Sequence, residues 1–171
     1  PTAQNDVGVI DEGETLTVTN GANANVSGSY DADEEHSGDL IDTSSSSHQD
    51  SDPDASPTLR ISAIQPSGGS SSSVSSGSSY NSSGTSVTGT YGTLTIGADG
   101  SYTYAANDSI SGFDANETLT DTFTYTLSDE HDATDTATLT ITLLGQDNEG
   151  PTGVNNTNAV NAVSYTHLTL P

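Results

Sequence analysis

The stretch "DTFTYTLSDEHDATDTATLTITLLG" (residues 121–145) decides the fold. It alternates on both sides of an acidic centre. Phe123, Tyr125 and Leu127 fall on one face of an extended chain, and Thr122, Thr124 and Thr126 on the other. Ala137, Leu139, Ile141 and Leu143 form a second apolar row with threonines between them. A period of two with Thr outside is the pattern of a half-buried antiparallel sheet. The acids between the rows, Asp129, Glu130, Asp132 and Asp135, then occupy the turn joining two strands.

The same pattern extends outward along the chain. "TLTVT" (15–19), "LRISA" (59–63), "YGTLTI" (91–96) and "SYTY" (101–104) all alternate. "GADGSY" (97–102) is a hairpin signal, because Asp99-Gly100 suits the positive φ angles of a tight turn. "TNGAN" (19–23) is a weaker one. No segment carries a 3.6-residue apolar period with caps. The expected fold is all-β: an antiparallel Greek-key β-sandwich of about seven strands. Two Ser-rich stretches interrupt it, "DTSSSSHQDSDPD" (42–54) and "PSGGSSSSVSSGSSYNSSGTS" (66–86). The second has too little apolar surface to order itself and is read as a flexible surface loop.

Composition limits the function. The 171 residues include 24 acids and a single basic side chain, Arg60, for a formal net charge of -23. Phosphate binding needs Lys and Arg, so nucleic acid is excluded, and an anionic membrane surface is unfavourable for the same reason. No apolar run of about 18 residues is present to insert in a membrane. Only 29% of the residues are hydrophobic, and there is no Cys to staple so thin a core. Metal ions are the other common staple. The abrupt start, without a signal peptide, reads as a piece of something longer.

Nothing supports catalysis, and the chain is read as not an enzyme. Glu34 and Glu35 are adjacent, so in extended chain they face opposite ways and make no acid/base pair. His36, His48, His131 and His167 show no zinc spacing, and no Gly-x-Ser-x-Gly elbow activates the serines.

The acids point to calcium, a hard cation that takes 6 to 8 oxygen ligands. Asp50, Asp52 and Asp54 alternate, which in extended chain projects all three carboxylates from one side. They do not form an EF-hand, because Ala55 and Ile61 stand where its Gly and Glu belong. Asp129 or Asp132 is expected to add a ligand from its turn. A further group, Asp31, Asp33, Glu34, Glu35 and Asp39, reads as a charged loop.

The opening "PTAQNDVGVI" (1–10) has a partner in "PTGVNNTNAV" (151–160), 150 residues on. Pro, Thr and Asn repeat, and Asn156 stands in the place of Asp6. One unit is therefore expected over 1–150, with a linker and the start of a following repeat over 151–162. Residues 163–171 break the pattern and read as a non-native or unstructured tail.

"YGTLTIGADGSYTYAAN", "DTFTYTLSDEHDATDTATLTITLLG" and the opening "QNDVGVIDEGETLTV" closely resemble the VCBS and bacterial cadherin-like repeats of large secreted RTX-type adhesins. The resemblance covers roughly residues 1–150. It implies tandem β-sandwiches that bind calcium, contact neighbouring repeats of the same chain, and sit in a secreted or cell-surface bacterial protein. Cell-surface glycans or proteins would be met through other domains. Residue by residue, it implies calcium ligation by the Asp50, Asp52 and Asp54 run. Asn5, Asp6 and Glu12 match the family's inter-repeat linker and ligand turn. Asp147 and Asn148 match the next linker in reversed order. Here Ala55 replaces the Gly that usually follows the acidic cluster, and the 66–86 loop is long. The expected function is a calcium-stiffened structural repeat. The alternative is a carbohydrate-binding module, which needs exposed aromatics; with no Trp, only Tyr30, Tyr80 and Tyr91 are candidates.

Overall fold

The computed structural model describes residues 1–21, 26–30, 35–43, 47–54 and 58–146. The expectations for 151–162 and 163–171 lie outside them, as do those for Asp31, Asp33, Glu34, Asp147 and Asn148.

Ten strands form two five-stranded sheets among the described residues. They are β1 (Asp6–Asp11), β2 (Thr15–Val18), β3 (Val26–Ser27), β4 (Arg60–Pro66), β5 (Ser72–Ser73), β6 (Thr85–Thr88), β7 (Gly92–Ile96), β8 (Tyr102–Ala106), β9 (Thr118–Ser128) and β10 (Thr134–Leu144). One sheet runs β1-β10-β9-β4-β5 and the other β3-β2-β8-β7-β6. Strands remote in sequence pair, β2 with β8 and β4 with β9, as a Greek-key sandwich requires.

The stretch that opened the analysis becomes the β9–β10 hairpin, with Leu139 opposite Phe123 and Ala137 opposite Tyr125. Phe123, Tyr125, Leu127, Leu139, Ile141 and Leu143 are fully buried. Leu16, Ile61, Leu94, Ile96, Tyr102 and Tyr104 complete the interior. The sandwich thus closes over the alternating rows that the sequence displays. The Asp99-Gly100 hairpin is present too, with Gly100 at φ 88.

Three expectations are corrected. The strand count is ten rather than about seven, because the two-residue β3 and β5 and the four-residue β6 leave little trace in an alternating pattern. The sheet is not wholly antiparallel, because β1 lies parallel to β10. Its sequence "DVGVID" is short and does not alternate cleanly, since both of its faces are covered. Its outer edge is blunted as well. The Val7 amide donates to Ser37 Oγ at 2.9 Å, and Ser37 N–H donates back to the Val7 carbonyl at 3.0 Å. An edge capped in this way offers no free ladder to another strand.

The third correction concerns residues 66–86, which are a built element and not a structureless loop. Val74 is buried and its amide donates to the Ser62 carbonyl at 3.0 Å. Ser78 is buried as well; its hydroxyl donates to the Ser75 carbonyl at 2.6 Å and accepts from the Ala98 amide at 3.0 Å. Ser101 Oγ accepts the Tyr80 amide at 3.1 Å. Serine hydroxyls do here what apolar burial cannot: they satisfy backbone groups one by one.

Candidate metal centre

Three segments meet beyond the start of β1: residues 1–5, residues 50–54, and the β9–β10 turn. Thr2 and Ser51 bridge them, with N···O distances of 2.7 and 3.0 Å. The Ala3 amide donates to Asp135 Oδ2 at 2.8 Å. Backbone bonding therefore carries the acidic run onto the acidic turn, which lies 75 or more residues away in sequence.

Asp52, Asp54 and Asp129 converge there, with one carboxylate oxygen of each within 4.8 Å of the others. The Asp54 amide donates to Asp52 Oδ1 at 2.8 Å, which bends the chain over Pro53. Asp129 is buried and holds its turn by accepting from His131 N at 2.8 Å and Ala133 N at 2.9 Å, both at Oδ1. The Asp52 side chain is 1% exposed, and no amide or hydroxyl donates to its buried Oδ2. That oxygen meets only the terminal ammonium of Pro1, at 2.9 Å. Hydrogen bonding to this ammonium, and then to the Asp54 amide, holds the Asp52 carboxyl below the usual range, and the same contact raises the Pro1 ammonium. An oxygen-only donor set whose buried Asp52 oxygen already holds a positive charge fits a hard cation such as calcium. Asp54 also belongs to an exposed group with Glu130 and His131.

The other expected ligands lie elsewhere. Asp50 does not project alongside Asp52 and Asp54. It is 3% exposed and turned inward, accepting from Gln4 N at 2.9 Å and Asp42 N at 3.1 Å. Burial pushes its carboxyl up to about 7. Asp6 is 2% exposed and accepts from the Tyr125 hydroxyl at 2.7 Å; burial pushes it up to about 6. Asn5 Oδ1 accepts both the amide and the hydroxyl of Thr138 at 3.0 Å, which pins the chain to β10. Asp132 pairs with Arg60 at 2.8 Å. Glu12 sits at the far end of β1, where it accepts from the Ile110 amide and its own amide donates to the Leu144 carbonyl at 2.9 Å.

Sequence reasoning missed two anchors. Glu130 accepts the Thr58 amide at 2.9 Å and ties the start of β4 to the turn. Asp121 is buried and accepts Thr90 N at 2.8 Å, Tyr91 N at 2.9 Å and the Tyr104 hydroxyl at 2.7 Å. Its signal was available, since it occupies the inward row two residues before Phe123. Of the aromatic candidates, Tyr30 packs on His36 with ring centroids 4.3 Å apart, Tyr91 packs on the core, and Tyr80 is half-buried.

A two-sheet sandwich with polar loops at its ends defines the class: an all-β module of the β-sandwich type. The family model described as bacterial cadherin-like domain matches residues 1–145, and the chain belongs to that family. No curated protein matches the chain. Bacterial cadherin-like domains are structural, adhesion-type repeats that are typically extracellular. Among the described residues, no helix is long and apolar enough to cross a membrane.

Proposed function

We propose that this chain is a calcium-binding, calcium-stiffened repeat of a large extracellular bacterial adhesin of the RTX type, acting as a spacer and not as an enzyme. The observation that supports the reading is the convergence of Asp52, Asp54 and Asp129, whose Asp52 Oδ2 is met by no amide or hydroxyl and pairs only with the Pro1 ammonium. Asp52 and Asp54 would hold the ion together with Asp129, and calcium would add positive charge where acids outnumber the Pro1 ammonium and Arg60.

The two ends of the domain suit a tandem array. β10 runs 11 residues, about 36 Å at the usual rise. It separates the Asp52 cluster from an opposite end where Asp11, Glu117 and Gln146 line a cavity of about 360 Å³ beside Glu12. In an array, the trailing end of one repeat faces the leading end of the next, and a divalent ion between them would restrain the hinge. Extracellular calcium at millimolar levels fills even weak sites of this kind.

Calorimetric titration of the purified chain with calcium and magnesium tests the proposal. Calcium is expected to bind and raise the melting temperature, with magnesium a poor substitute because of its octahedral demands. Asp52→Asn should weaken binding at least tenfold without unfolding the domain. No calcium binding at millimolar concentration, together with a melting curve indifferent to EDTA, would overturn it.

A further inference from the structure

Asn20-Gly21 is the only Asn-Gly pair in the chain, and it ends the segment that leaves β2. Asn20 and Gly21 are both exposed. Gly21 has φ 121, a backbone conformation that favours glycine, and an added Cβ there would meet nothing within 4 Å. Its amide donates to Oδ2 of Asp39 at 3.0 Å. Asp39 itself is buried. The Asn20 side-chain amide donates to the Asp99 carbonyl in the β7–β8 turn. Asn20, Gly21, Asp39, Asp42, Thr58 and Leu59 line one cavity of about 320 Å³.

We infer that Asn20-Gly21 is a site of spontaneous covalent modification, in which Asp39 serves as the base for conversion of Asn20 to aspartate and isoaspartate. The Asp39 carboxylate takes the proton from the Gly21 amide. That nitrogen attacks Asn20 Cγ, and a new C–N bond closes a five-membered succinimide. The Cγ–Nδ2 bond breaks, and the departing amide nitrogen collects the proton held by Asp39 and leaves as ammonia. Water then opens the ring at either carbonyl, giving aspartate or isoaspartate. No oxidant or cofactor enters, and the exposed dipeptide has the water it needs.

Two features favour this pair over others. Desolvation, its largest influence, pushes the Asp39 carboxyl up to about 6, so it is a stronger base than an exposed aspartate yet still largely ionised at neutral pH. The chain's Asp99-Gly100 pair, which could form the same ring, lacks the arrangement. There the Gly100 amide donates to the Gly97 carbonyl at 3.2 Å, and Asp99 Oδ1 is occupied by the Ser101 amide and hydroxyl. The other described asparagines followed by a described residue precede bulkier ones, such as Asp6, Ser82, Asp108 and Glu117, whose side chains hinder attack by the following nitrogen. Conversion replaces the Asn20 donor with a carboxylate facing the Asp99 carbonyl. The tie between the end of β2 and the β7–β8 hairpin is lost, and a further negative charge joins Asp39 and Asp42 around the cavity.

The test is to hold the full chain at neutral pH and body temperature for days, then locate amide-to-acid conversion by peptide mapping and isoaspartate by enzymatic methyl transfer. Residue 20 is expected to convert before every other asparagine, and at least as fast in the folded chain as in urea. Asp39→Asn should slow conversion several-fold, and Asn20→Gln should remove it while leaving the fold intact. Slower conversion in the folded chain than in urea would mean that the Asp39 contact protects the pair, and the inference fails; this comparison stands even where Asp39→Asn does not fold. An unchanged rate in folded Asp39→Asn, or an earlier conversion elsewhere, overturns it equally.

Discussion

Asp121 clamps the two sheets, and removing its carboxylate should be among the costliest single changes in the domain. It heads the inward row of β9 in one sheet, and its partners lie in the other. The Thr90 and Tyr91 amides belong to the β6–β7 turn and the Tyr104 hydroxyl to β8. Three donors therefore converge on one buried carboxylate, so Asp121→Ala strands all three. At about 1–3 kcal/mol per unsatisfied buried donor, and allowing some to reach water, the loss is about 3–6 kcal/mol. A domain of this size has about 5–15 kcal/mol in total. The melting temperature should fall by roughly 10–20 °C, or cooperative unfolding should disappear. Tyr104→Phe strands no donor and should cost about 1.5–3 kcal/mol, the value of one hydrogen bond to a charged group. The two changes share a bond, so the double variant should cost less than the sum by about 1 kcal/mol or more. Urea unfolding of the two single variants and the double variant measures this directly. An Asp121→Ala domain within about 1 kcal/mol of the parent would show that water replaces the carboxylate, and the clamp would be refuted.

Other expectations follow from the same geometry. Asp6, Asp39 and Asp50 are all raised above their ordinary range by burial, so the folded chain binds protons that the unfolded chain releases. With EDTA present, the melting temperature should rise as pH falls from about 7 toward about 4, and Asp50→Asn should flatten the rise; a falling curve over that window would contradict it. Peptide extension before Pro1 turns its nitrogen into a tertiary amide without charge or hydrogen, so metal-free stability should drop and the calcium response should grow, both read by calorimetry. Gly8→Ala places a Cβ 2.9 Å from Leu16 Cδ2 and 3.0 Å from Ile141 Cδ1, and should cost about 1–3 kcal/mol in urea unfolding. Ser78→Ala should cost about 1–3 kcal/mol, whereas exposed Ser76→Ala should be near neutral; equal and negligible effects would restore the structureless reading of 66–86.

The fold was legible where one face is buried and the other is wet. Along β9 and β10 the apolar rows and the threonines between them specify register, because a one-residue slip would expose Phe123 and Leu139. β1 was not legible, since a strand buried on both faces, with β10 on one edge and residues 36–37 on the other, need not alternate. The serine stretch misled because composition counts apolar area and is blind to hydroxyls placed against particular amides, as at Ser78. The acidic end was half legible. Asp52, Asp54 and Asp129 could be singled out as oxygen donors, but their meeting depends on the Thr2–Ser51 bridge and the bend at Pro53. Nothing in the spacing distinguishes Asp50, which turns inward, from Asp52, which does not.

The excess of like charge is tolerable because the backbone supplies most of what basic side chains would. Asp50 is met by two amides, Asp121 by two amides and a phenol, and Asp129 by two amides. Asp39, Asp135, Glu117 and Glu130 are each met by at least one. Each such bond stabilises the ionised form locally and simultaneously fixes a turn or a crossing, so in this chain the carboxylates serve as joints. Arg60, paired with Asp132 at the surface, contributes little by comparison. Amides and hydroxyls meet the other buried acids, as the Tyr125 hydroxyl meets Asp6. Asp52 Oδ2 is different: it is buried, no amide or hydroxyl reaches it, and it leans on the Pro1 ammonium. A divalent ion there would attract the carboxylates of Asp52, Asp54 and Asp129 at once, where an amide can serve only one oxygen.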